Sequence, residues 1–213
     1  MKNPTLIASL CADLAPVRRT HVERQIAIAG LIGGGASLAA LIATLGIQSG
    51  LSTTANMIPL AIKSIFAISL AAVGFAALLK LARPDGRPTD LLPKVAAIFA
   101  LLASIALVQS GHVNNAGDAK LLLGASWQSC SLRIAALSVP MTAMIGWAVR
   151  RQAPVHLRRA GAAVGMTAGA SAAGIYALAC TENSSTFVLV WYSAGIALST
   201  AIGALLGPRL LRW

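Results

Sequence analysis

The stretch MIPLAIKSIFAISLAAVGFAALLKLARPDGRPTDLLPK, residues 57–94, decides how this chain is read. From Met57 to Ala82 it is apolar except for Lys63, Lys80 and a few small hydroxyl residues. A bilayer core of roughly 30 Å is crossed by about 20 apolar residues at about 1.5 Å each. The run then closes on Lys80, Arg83, Arg87 and Lys94, interleaved with Pro84, Pro88 and Pro93. Prolines cost little in a connection, and a basic connection is held on the cytoplasmic side of a membrane. Residues 57–94 therefore predict a membrane helix and its cytoplasmic turn.

Working outward, five more apolar runs of similar length occupy 26–47, 91–109, 132–149, 160–179 and 187–206. The expected fold is all-α, a polytopic bundle of six transmembrane helices. Composition agrees: 57% of the 213 residues are apolar and 11% charged, against roughly 45–50% and about 25% in soluble domains. Such a chain lacks the polar surface to cover itself in water, and the lipid bilayer is its expected surroundings. The first apolar run follows Arg18, Arg19 and Arg24 with no cleavage-like site after it, so it reads as a retained helix and not a signal peptide.

The net charge of +11 is distributed by connection. Lys2, Arg18, Arg19 and Arg24 precede the first run, and the second connection holds the four residues named above. The fourth holds Arg150, Arg151, Arg158 and Arg159, and the C-terminus holds Arg209 and Arg212. Fourteen of the 17 basic residues thus lie on alternate connections. Positive-inside bias places both termini in the cytoplasm, and six spans suit that. The bacterial inner membrane is the expected location. Trp147 and Trp213 beside cytoplasmic arginines, and Trp127 near the opposite interface, sit where amphipathic rings are favoured. The basic residues form no stripe interleaved with aromatics, so nucleic acid is not an expected partner.

Two regions follow: a cytoplasmic segment, residues 1–25, and the membrane domain, residues 26–213. In the first, Asn3 and Pro4 make a good helix start. Leu6, Ile7, Leu10, Leu14 and Val17 recur at helical spacing and form one apolar stripe. The stripe either lies on the inner membrane surface or docks into a groove of a cytoplasmic partner. Its basic residues come only at its end, which favours docking.

Cys11 falls in the cytoplasmic segment, whereas Cys130 and Cys180 fall on the outer side. The latter two lie at nearly equal separations from the middle of the short connection at Pro154. They should therefore end at similar heights on antiparallel helices, within disulfide reach if both face inward. A static disulfide, two unrelated buried thiols, and a redox- or metal-responsive pair all fit this placement. His112 and Glu182, also on the outer side, would complete a Cys2HisGlu metal set, though without a motif spacing.

Lys63 lies about 9 Å into its span, where a lysine costs up to about 2.5–3.5 kcal/mol near the bilayer centre. Snorkelling to the outer interface is the expected remedy; pairing with Asp118 or Glu182, linking the outer side to the bundle, is the functional alternative. Gly161, Gly165 and Gly169, with Ala173, repeat every four residues, as do Gly203 and Gly207. Such faces permit close helix approach, within the bundle or between two copies in a homo-oligomer. Gly33, Gly34 and Gly35 lack the setting of a phosphate loop. There is no His-Glu-x-x-His, no Cys-x-x-Cys and no acidic residue inside a run, which leaves no basis for an enzyme or a bound cofactor.

The C-terminal third reads C-T-E-N-S-S-T-F-V-L-V-W-Y-S-A-G-I from Cys180 to Ile196, then Gly203, and G-P-R-L-L-R-W from Gly207 to Trp213. This resembles the NrsF family of bacterial membrane anti-sigma factors. The resemblance takes in L-I-A-S-L-C-A-D-L-A-P-V-R-R at residues 6–19, Lys63, and Cys130 ten residues before Pro140. It implies a membrane regulator that holds an extracytoplasmic-function (ECF) sigma factor inactive. It also implies that Cys130 and Cys180 sense a periplasmic stress such as metals or oxidants, and that Leu6, Ile7, Leu10 and Leu14 contact the sigma factor. A small-solute transporter or channel, or a scaffold subunit of a membrane complex, are the readings from other classes.

Overall fold

The computed structural model describes residues 12, 19–48, 54–82, 91–110 and 127–212. Six helices run through them: α1 (Arg19–Thr44), α2 (Thr54–Leu81), α3 (Leu92–Ser110), α4 (Trp127–Arg150), α5 (Leu157–Tyr176) and α6 (Ser185–Leu210). No strand occurs among the described residues. Each helix covers one apolar run of the sequence, extended by a few polar residues at its ends. The stripe Leu6, Ile7, Leu10, Leu14 and Val17 lies outside the described residues, as do Cys11, His112 and Asp118.

Five helices, α1 to α4 and α6, are long and apolar enough to cross a membrane. The expected count was six, and α5 is the one that falls short. Its sequence, LRRAGAAVGMTAGASAAGIY, is built from alanine, glycine and small hydroxyl residues. Most of it is buried against its neighbours. A helix enclosed by other helices has no need of large apolar side chains for lipid, and gains from small ones that let backbones approach.

That approach is closest between α5 and α6. A methyl group on Gly161 would strike the carbonyl oxygen of Gly203, and one on Gly203 would strike the carbonyl of Gly161. Further along, a Cβ on Gly169 would lie 2.7 Å from Cβ of Ser199. The two small-residue faces read from the sequence thus meet inside one chain.

Around this pair, α2 packs on α5, while α4 contacts both α5 and α6 and carries α1 on its far side. Small polar groups pin the crossings. Ser37 Oγ donates to the Leu137 carbonyl at 2.8 Å, and Ser138 and Ser199 hydroxyls lie 3.1 Å apart. Helix α3 is peripheral, held by the edge-to-face pair Phe66–Phe99 towards its middle and by Gln109 near its last turn, whose Oε1 accepts from the Ser185 N–H. Much of its surface is open, with Leu107 71% exposed.

The helices alternate in direction, so the bundle has two chemically distinct ends. Lys80, Lys94, Arg150, Arg151, Arg158, Arg159 and Arg209 gather at one, the arginine end, where Gln152 Nε2 donates to Gln25 Oε1 at 2.9 Å. Cys130 and Cys180 lie at the other, the cysteine end. The core follows the same division: one buried cluster reaches from Leu70 and Leu137 to the cysteines, a second from Met141 and Ile145 to Leu211.

Candidate functional site

The cysteine end buries an unusual set of side chains for a lipid-bound helix bundle. It begins with how α5 stops. After Tyr176 the chain tightens, with Leu178 N–H donating to Ile175, Ala179 N–H to Tyr176, and Cys180 N–H also to Tyr176. The Ile175 and Tyr176 carbonyls at the end of α5 are thereby satisfied, whereas that of Cys180, four residues beyond Tyr176, needs a partner from elsewhere. The Cys180 carbonyl is satisfied from a distant element: Lys63 Nζ, on α2, donates to it at 2.9 Å.

Lys63 is only 3% exposed. It does not extend to the interface as the sequence led us to expect, but turns inward and bonds the turn that follows α5. Desolvating an ammonium is expensive unless it is hydrogen-bonded, and the Cys180 carbonyl supplies that bond. Cys180, Glu182 and Cys130 form the rest of its electrostatic surroundings. Of the two carboxylates considered from sequence, Glu182 is therefore near this lysine, and Asp118 lies outside the described residues.

Both thiols are free and buried, in the same core cluster. Cys130 sits in the first turn of α4 and is fully enclosed. It interacts with Cys180, Tyr176, Lys63 and Arg133. The fold thus places Cys130 and Cys180 in one core cluster, as unbonded thiols.

Two tyrosines complete the cluster. Tyr176 closes α5 and Tyr192 lies on α6, with ring centroids 5.9 Å apart. Tyr192 belongs to a π-helical stretch, Val188–Tyr192, inside α6. It is fully buried, and its hydroxyl has no hydrogen-bond partner among the described residues. Cys180 is its foremost electrostatic neighbour. On the neighbouring face Ser131 Oγ donates to the Trp191 carbonyl at 2.9 Å, and Trp127 stacks on Trp191 at 5.3 Å.

Sequence reading singled out Lys63, Cys130 and Cys180 but not Tyr176. The signal available was its place four residues before Cys180, one helical turn on the same face. Of the suggested metal set, Cys130, Cys180 and Glu182 share this end of the bundle, and His112 lies outside the described residues. Among the described residues no three His, Cys, Asp or Glu side chains converge at metal-binding distance.

Five helices long and apolar enough to cross a membrane, with a lysine, two thiols and two phenols buried at one end, define an apolar helical bundle of the membrane-associated kind. The comparisons narrow the class. Residues 10–213 match the family model NrsF, described as negative regulator of sigma F. The chain is 34% identical over 219 residues to the "Probable anti-sigma-F factor NrsF" of Azospira oryzae, covering the whole of both. It is 33% identical over 214 residues to the "Anti-sigma-F factor NrsF" of Caulobacter vibrioides, again covering both entirely. No solved structure matches it. The chain belongs to the NrsF family.

Proposed function

We propose that this protein is an anti-sigma factor of the bacterial inner membrane that sequesters an ECF sigma factor and releases it on a periplasmic signal. The observation that carries the reading is the full-length match to two proteins named as anti-sigma-F factors. In this reading all six helices cross the bilayer, α5 sheltered by the rest, and both termini are cytoplasmic. Segment 1–25 presents Leu6, Ile7, Leu10, Leu14 and Val17 to the sigma factor, and residues 26–213 anchor and control it.

Cys130 and Cys180 are the sensing pair. An oxidant can take two protons and two electrons from them to leave a disulfide, or a soft metal ion can bridge their thiolates, with His112 and Glu182 as further ligands. Either change repositions the Cys180 backbone. Lys63 couples it to α2, because its ammonium is bonded to the carbonyl of that same residue. For effective release the two bundle states must differ in sigma affinity, and about 1.4 kcal/mol gives each tenfold.

The docking surface is tested by co-purification of the sigma factor from membranes. Leu10→Arg with Leu14→Arg should abolish retention, and unchanged retention would remove the stripe as the contact. The sensor is tested separately, with Cys130→Ser and Cys180→Ser variants challenged by metals and oxidants. Induction of the sigma regulon should be lost while sequestration persists; normal induction would sink the thiol mechanism and leave the sequestration reading standing.

A further inference from the structure

The arginine end holds a pair of clefts that the regulatory reading does not use. One, of about 210 Å³, lies between α2 and the start of α3, walled by Ala72, Val73 and Ala76, with Lys80 and Lys94 on its lining. The other, of about 410 Å³, lies between α2 and α5, walled by Leu81, Ala162, Ala163 and Met166, with Arg159 on its lining. Ala77 and Leu91 line both, so the two run side by side, parted by the residue that precedes α3. The alanines withdraw side-chain volume from the walls just where the three cations stand exposed. Among the described residues, no carboxylate lines either cleft.

Two adjoining apolar slots under one cluster of positive charge match an amphiphile with two chains and an anionic head. We propose that they hold the acyl chains of one anionic glycerophospholipid, one in each cleft, with its phosphate over Leu91 among Lys80, Lys94 and Arg159. The proposal rests on these helices spanning a bilayer and is independent of any sigma factor or thiol chemistry. Basic pockets between membrane helices suit phospholipid head groups, and each cation near the surface favours an anionic lipid about fivefold. Three together give on the order of a hundredfold over a zwitterionic lipid.

Two other clefts lack this combination. One, of about 730 Å³ and walled by α1, α2 and α5, has no charged residue on its lining among the described residues. A third basic cleft, about 170 Å³ between α1 and α4, contains Arg151, whose guanidinium already lies 3.8 Å over the Trp147 ring.

The test uses the full chain in non-ionic detergent, titrated with phosphatidylglycerol or phosphatidylcholine and read by native mass spectrometry. One phosphatidylglycerol should be retained, preferred on the order of a hundredfold. Lys80→Gln with Lys94→Gln and Arg159→Gln should bring the two lipids close to parity. A control with the same charge change, Arg24→Gln with Arg209→Gln and Arg212→Gln, should keep the preference. Lys94→Gln alone, on the exposed first turn of α3, should lower it about fivefold and serves if the triple variant fails to fold. Undiminished preference in the cleft variants, or equal loss in the control, would overturn the site, the latter showing only a diffuse surface charge.

Discussion

The two ends of the bundle handle charge in opposite ways. At the arginine end the cations stay exposed on the rim, and the core cluster beneath them is alanine with leucine, isoleucine, valine and methionine. At the cysteine end an ammonium is drawn into the core, where it meets a turn carbonyl in a cluster with two thiols and two phenols. The first arrangement costs little and is tolerant, because each exposed group keeps its water. The second is tightly determined, since the buried Lys63 ammonium depends on the Cys180 carbonyl for its hydrogen bond.

This contrast can be broken most severely through the backbone seam that both ends share. Gly161→Leu should destabilise the bundle by about 4 kcal/mol or more, as large overpacking does, and abolish detergent-resistant folded protein. Gly35→Leu, where nothing lies within 4 Å of the added carbon, should leave unfolding in graded denaturing detergent unchanged. Equal effects of the two would mean that the α5–α6 seam is not the organising contact.

A smaller effect sharpens the comparison. Lys63→Met leaves the Cys180 carbonyl without its donor, a loss of about 1–3 kcal/mol for a buried acceptor. Modification of Cys180 by a thiol reagent should accelerate roughly tenfold as that turn opens more often. Lys94→Met, at the tolerant end, should not alter the rate. The smallest expected change is Ser138→Ala, which removes a hydroxyl pair between α4 and α6 and should cost about 0.6 kcal/mol. A loss of several kcal/mol there would move the critical polar contact from the cysteine end to the middle of the bundle.

The helices were legible because lipid demands long apolar runs, and each run became a helix within a few residues of its expected bounds. The pairing of the two thiol positions was legible for a related reason: antiparallel helices joined by a short turn translate sequence distance into height. The direction of Lys63 was not. Residue type and depth alone allow it to snorkel, and only the position of the Cys180 carbonyl, 117 residues away, decides for the core. Tyr176 escaped notice because a single tyrosine at a helix end is unremarkable until its neighbours are known. The low apolarity of α5 has the same origin, since enclosure by other helices is a property of packing and leaves only the glycine spacing as a trace.

The wide turn at Val188–Tyr192 has a further consequence. An α-helix that admits one such turn carries a surplus residue, and everything after it is rotated by about 100° relative to everything before it. The part before the turn meets α3, through Ser185 and Gln109, and the part after it meets α5, through Gly203 and Gly161. Helix α6 is thus two recognition surfaces spliced out of phase. Removing a single residue from the splice would keep the helix whole, yet leave it able to face only one of its two neighbours.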